Sequence, residues 1–148
     1  MKINMYELKA VKEKSFNYDC GVGQRVACDE DLAEISKAIG FEEFAEEHLG
    51  MFCLNAAGMI IGYYEVSKGD LTSPLAHPRE IFKRAILSNA GSIALVHNHP
   101  SGNTEPSQAD IATAKRLQEA GQLIGIPLID SLIIGCGCYT SLKTRGVL

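Results

Sequence analysis

The chain has 148 residues, 46% of them hydrophobic and 22% charged, with a formal net charge of -4 and a pI of about 5.5. That apolar fraction supports one packed core of ordinary domain size and excludes an intrinsically disordered chain. The acidic balance argues against non-specific binding to nucleic acid, which draws on a basic surface, and leaves only residues 143–145, with Lys143 and Arg145, as a weak basic candidate.

In chain order, residues 2–11 mix β-branched and polar residues and read as an edge strand, and 12–28 as a polar, glycine-containing loop. Acidic residues from Asp29, followed by Leu32, Ile35 and Ile39 at helical spacing, predict a helix that Gly40 stops. Residues 41–47 read as a short helix or turn. Two apolar stretches, 49–55 and 59–67, are separated by Ala56-Ala57-Gly58 and predict a hairpin, with a loop over 68–76. Pro78 opens the next helix in its favoured first-turn position, with Ile81, Phe82, Ala85 and Ile86 as the apolar stripe. Residues 92–97 form a buried strand by composition, and 98–106 a polar loop stiffened by two prolines. A helix follows from about Ser107 to Ala120, with a stop at Gly121. Residues 127–134 are a second buried strand and 138–142 a last one. The mixed order of strands and helices predicts an α/β sandwich, a central sheet with helices packed against it.

The five cysteines, Cys20, Cys28, Cys53, Cys136 and Cys138, are odd in number, and no signal-peptide pattern opens the sequence. A reduced, cytoplasmic protein is the expectation. Cys136-x-Cys138 lacks the usual two-residue spacing of metal or redox pairs, and is expected on a strand with both thiols on one face as small apolar fillers. No apolar run reaches the roughly 18 residues of a membrane span, so no membrane partner is expected.

His97 and His99 stand two apart at the end of an apolar strand, where residues i and i+2 share a face, so two imidazoles can reach one ion. Asp110 arrives on the first turn of the next helix. Two imidazoles and one carboxylate leave a fourth position open around a tetrahedral zinc, the mark of a catalytic site, and zinc brings the pKa of a bound water to about 7. A second reading covers the same residues. A lone His-x-His pair is a weak signal, and Ser107-Gln108-Ala109-Asp110 has the spacing of a capping box that starts a helix.

The run His97-Asn98-His99-Pro100-Ser101-Gly102, followed by Pro106, Ser107 and Asp110, resembles the JAMM metalloprotease motif in its full spacing. The Pro-Ser-Gly step and the upstream His77-Pro78-Arg79-Glu80 narrow the likeness to the RadC-like branch, over residues 30–148. The resemblance implies a JAB/MPN-type fold related to cytidine deaminases, with a mixed β-sheet sandwiched by helices. It implies a single RadC-like domain over 1–148, residues 1–28 being an N-terminal strand and loop. The helix-hairpin-helix region of full-length RadC proteins is expected to be absent. It also implies hydrolysis of a peptide or isopeptide bond by metal-activated water, with Zn2+ held by His97, His99 and Asp110. Glu47 is implied as general base, with Glu46 and Glu65 as rivals, and Ser107 as the group that stabilises the oxyanion. By charge pattern alone, Glu42, Glu43, Glu46 and Glu47 read as a solvated acidic face. His48 is expected at a partly exposed strand edge, and His77 as a loop residue that packs or caps locally. The alternative function is that of a DNA repair-associated protein acting on or near DNA, which the net charge does not favour. A peptide or protein substrate is expected, selected by loops 68–77 and 100–106.

Overall fold

The computed structural model describes residues 3–5, 7, 9–13, 15, 17, 25–69 and 76–148. Helix α1 (Asp29–Ile39) leads into the hairpin β1 (His48–Leu54) and β2 (Ile60–Lys68); α2 (Pro78–Leu87), β3 (Ser92–Asn98), α3 (Gln108–Ile124), β4 (Leu128–Ile134) and β5 (Tyr139–Ser141) follow. The strands form one sheet in the order β2-β1-β3-β4-β5. Only β3 and β4 run parallel; β1 is antiparallel to both β2 and β3, and β5 to β4. A parallel pair needs a crossover, and α3 supplies it.

Residues alternate across a strand, and here both faces are covered. Met51, Cys53, Ile93 and Leu95 pack with Ile81 and Phe82 of α2 and Leu117 of α3. Phe52, Leu54, Ala94 and Val96 pack with Leu32 and Ile35 of α1 and with Phe41. This is the expected mixed α/β sandwich, and its double burial explains the continuous apolar runs of the central strands. The buried Asp130 is satisfied by Ser131 N, Ser141 Oγ and Lys143 N, which ties β4 to the turn after β5.

Three expectations are corrected. None of the described residues between 3 and 17 lies in a strand, and Ile3, Met5 and Val11 are exposed. A strand needs a ladder partner, and the sheet-type pairing of the described chain ahead of α1 is an isolated bridge, Arg25 with Met59, beside which Val26 N donates to Gly58 O. The helix expected to stop at Gly121 continues to Ile124 and is capped by Gly125 in the left-handed region. Gly121 serves close packing instead: a Cβ there would meet Ile126 O at 2.6 Å. Cys136 and Cys138 are exposed rather than strand fillers. Glycines 135 and 137 make their segment the β4–β5 turn, with Gly135 N donating to Cys138 O and Gly137 at positive φ. The loop expected at 68–76 lies mostly outside the described residues, since only Lys68, Gly69 and Ala76 are described there, and Lys68 ends β2.

Gly121→Ala adds about 1 kcal/mol of helix propensity, but its Cβ collides with backbone that cannot rotate away, and overpacking costs about 1–3 kcal/mol. Urea denaturation is expected to show net destabilisation. Gly62→Ala, where nothing lies within 4 Å of the added atom, is expected to be neutral or stabilising. Burial pushes the Cys53 thiol up to about 11. A thiol reagent at neutral pH is therefore expected to label Cys28, Cys136 and Cys138 in the native protein and Cys53 only after unfolding, read by mass spectrometry.

Candidate metal centre

The chain leaves the C-terminal end of β3, loops over 99–107 and returns as α3. This brings the first turn of α3 back onto the strand end that precedes it. His97 is buried and shares the α2–α3 face of the sheet with Leu95. The Nε2 atoms of His97 and His99 lie 3.2 Å apart. Asp110 Oδ1 is 3.2 Å from His97 Nε2 and Asp110 Oδ2 is 3.4 Å from His99 Nε2. Glu47 Oε1 lies 3.9 Å from His99 Nε2. One ligand atom each from Glu47, His97 and His99 lies within 4.8 Å of the others, a group able to hold a metal ion. Asp110 sits nearer the imidazoles than Glu47 does, and its side chain is 5% exposed against 28% for Glu47.

The loop sets the tautomer of His99. Its Nδ1 lies 2.7 Å from the Asn103 carbonyl; a carbonyl only accepts, so Nδ1 carries a proton, and in the neutral ring Nε2 is then the nitrogen with the lone pair toward the site. Ligand histidines are commonly fixed in this way. The loop is itself anchored. Gly102 N donates to His99 O, Thr140 Oγ1 bonds Thr104 Oγ1, and Arg145 grips Glu105 through two bonds of 2.7 and 2.8 Å. That bidentate pair holds the Glu105 carboxyl below its ordinary range, and it occupies the guanidinium that the sequence offered as a basic patch.

Ser107 is the N-cap of α3 and forms a capping box with Asp110. Asp110 N donates to Ser107 Oγ at 3.1 Å, while Ser107 N and Oγ both donate to Asp110 Oδ2 at 2.7 Å. The cap and a ligand role for Asp110 are compatible in geometry: Oδ2 closes the cap, and Oδ1 faces His97. Burial by itself raises the Asp110 carboxyl, but the neighbouring His97 and the Ser107 donors outweigh it and hold the group well below the usual carboxylate range. Beside His97 and Asp110 lies a small cavity of about 30 Å³ also walled by Leu49, Leu95, Thr113 and Ser131, room for a water or two.

Of the three glutamates weighed from sequence, Glu47 faces the imidazoles. Glu46 pairs with Lys68 at the surface, 3.7 Å away, and Glu65 pairs with His48 at 3.3 Å. His48 is buried rather than partly exposed, because its ring stacks on Phe44 with centroids 4.0 Å apart. His77 caps α2, its Nδ1 accepting from Arg79 N, with Arg116 Nη2 beside its Nε2. Arg79 pairs with Glu80 across the helix start.

Sequence reasoning missed the part played by Asn98. Its side chain is buried and bonds the backbone at Phe44, Glu46 and His48. The signal was available in strand alternation, which turns residue 98 to the face opposite its histidine neighbours.

The fold and this His-x-His site with two facing carboxylates define a mixed α/β domain of JAB type. The chain matches the RadC-like JAB domain over residues 26–147 and belongs to that family. It is 43% identical over 135 residues to a UPF0758 protein of Clostridium kluyveri, covering 89% of this chain and 58% of that protein. A UPF0758 protein of Moorella thermoacetica is 50% identical over 102 residues, 69% of this chain and 44% of its own length. One of Salinibacter ruber is 43% identical over 124 residues, 84% and 53%. The chain thus spans about half the length of the relatives it matches. Among the described residues, no helix is long and apolar enough to cross a membrane.

Ser107→Ala removes the cap whether or not metal is bound. Urea denaturation in the presence of a chelator is expected to show a loss of about 1 kcal/mol, within the 0.5–2 kcal/mol range of such caps, with Ser107→Thr losing less.

Proposed function

We propose that this domain is a zinc-dependent hydrolase of the JAMM type that cleaves an amide or isopeptide bond with water as the nucleophile and no covalent intermediate. The observation that carries the reading is the gathering of His97, His99 and Asp110, whose facing atoms lie 3.2–3.4 Å apart, with a second carboxylate, Glu47, 3.9 Å from His99. The donor set fits zinc: nitrogen and carboxylate ligands are those it takes, and three of them leave the open place that a catalytic site requires. His97, His99 and Asp110 would hold the ion. Bound there, zinc supplies a Lewis acid that polarises a carbonyl and makes water acidic near neutral pH.

The chain's own residues divide the remaining work. Glu47 takes a proton from the attacking water as its oxygen joins the carbonyl carbon. It returns that proton to the amide nitrogen as the carbon–nitrogen bond breaks, leaving a carboxylic acid and an amine, which at neutral pH become carboxylate and ammonium as the acid's proton passes to the amine. Ser107 is assigned the oxyanion contact. Turning its hydroxyl toward the substrate exchanges one hydrogen bond for another, while its backbone N–H keeps hold of Asp110 Oδ2. Asp110 stays ionised at neutral pH, as a ligand must. The substrate is a peptide or protein chain.

Elemental analysis is expected to find about one zinc per chain in the wild type, as in mononuclear catalytic sites, and none in His97→Ala. Equal zinc in the two proteins overturns the metal assignment. Glu47→Gln is expected to keep its zinc and to lose about a hundredfold or more in cleavage of peptide and isopeptide probes, the scale of a general base. Loss of zinc in Glu47→Gln would instead make Glu47 a ligand.

A further inference from the structure

We propose that Asn98 is a positioning residue whose side-chain amide holds both peptide units flanking Glu47, and so aims the Glu47 carboxylate at the paired imidazoles. The proposal rests on the reading of Glu47 as the proton-handling group.

Residues 44–47 lie outside regular structure, and irregular segments move more than the elements they join. A general base must nevertheless stay within hydrogen-bond reach of the proton it takes. Asn98 meets that demand from a buried position, 2% exposed. Its Oδ1 accepts from His48 N at 2.7 Å. Its Nδ2 donates to Glu46 O at 3.0 Å and to Phe44 O at 3.2 Å. Glu46 O belongs to the peptide before Glu47 and His48 N to the peptide after it. The third point is Glu47 O, which accepts from Gly69 N at 2.7 Å at the end of β2.

The chemistry is specific to an asparagine. One N–H and two carbonyls face the side chain, which needs one acceptor and two donors within two bonds of Cβ. Aspartate offers no donor when ionised, and serine offers one hydroxyl. The same arrangement fixes which amide end is oxygen. Placement matters as well. Asn98 lies between His97 and His99, so the strand end that aims the imidazoles through one face holds Glu47 through the other. A displacement of that strand end carries all three groups together.

The test uses the full chain loaded with cobalt(II), in the wild type, Glu47→Gln, Asn98→Ala and the double variant. Hydrogen exchange at the His48 amide is expected to rise about tenfold in Asn98→Ala, the loss of one buried hydrogen bond, with the β4 amides unchanged. The pH midpoint of the visible spectrum is expected to fall by about one unit in Glu47→Gln, because an adjacent carboxylate opposes loss of a proton beside it. Asn98→Ala is expected to move the midpoint the same way, and the double variant no further than Glu47→Gln alone. A wild-type midpoint in Asn98→Ala, or additive shifts, overturns the proposal. If Asn98→Ala does not fold, Asn98→Ser takes its place under the same criteria. A wild-type midpoint in Glu47→Gln overturns the reading of Glu47 itself; Asn98 is then judged on the His48 exchange rate, and an unchanged rate overturns it.

Discussion

The C-terminal end of β3 carries the arrangement of the whole site, because that strand is packed on both faces. Ile93, Ala94, Leu95 and Val96 are all buried, in alternation against α2 and α3 on one side and α1 on the other. Such a strand cannot slip by one residue without exchanging its two faces. It also cannot twist without opening voids that cost kcal/mol each. The three residues that continue it, His97, Asn98 and His99, inherit that rigidity. Two of them point one way and the middle one the other, so one strand end serves two layers of the molecule.

The parallel pairing of β3 with β4 makes the second contribution. It forces the chain through a crossover, and the crossover helix starts beside the strand end it has just left. Asp110 therefore reaches His97 from the first turn of α3, where a carboxylate also completes a helix cap and meets the positive end of the helix dipole. The cap is closed by Oδ2, while Oδ1 is the oxygen that faces His97. The cap orients the carboxylate, and His97 together with the Ser107 donors keeps it ionised despite its burial, the state the proposed ligand role needs.

Glu47 is held differently. It comes from an irregular segment ahead of β1 and is the most exposed of the four convergent groups, 28% against 17% or less. The proposed role of Glu47, exchanging protons with water and a leaving group, needs that access. Its backbone is nonetheless tied at three points, to Asn98 on both sides and to Gly69. Rigid main chain and accessible side chain are thereby combined in one residue.

Much of this was legible in the chain itself. The helical spacing after Asp29, the hairpin around Ala56-Ala57-Gly58, the proline-opened α2 and the buried runs of β3 and β4 are local patterns, each set by residues within a few positions of one another. The pairing of His97 with His99 is of the same kind, since strand geometry alone puts them on one face. Where glycine's purpose depended on a distant neighbour, local reading failed. Gly121 looked like a stop and is a close approach to Ile126 O and to the Phe82 ring of α2, and Gly135, where a strand was expected, lies against Gly102 O and Thr104.

The sequence by itself determined the elements, the His-x-His pair and the cap of α3, because those follow from short-range geometry and hydrogen bonding. Only the tertiary structure decided which glutamate faces the imidazoles. Glu46, Glu47 and Glu65 are chemically alike, and the choice depends on where Lys68, His48 and the strand end fall in space. It also decided that Asn98, 52 positions from Glu46 in sequence, is bonded to it. No pattern along the chain encodes a contact of that range, which exists only once the sheet has brought β1 beside β3.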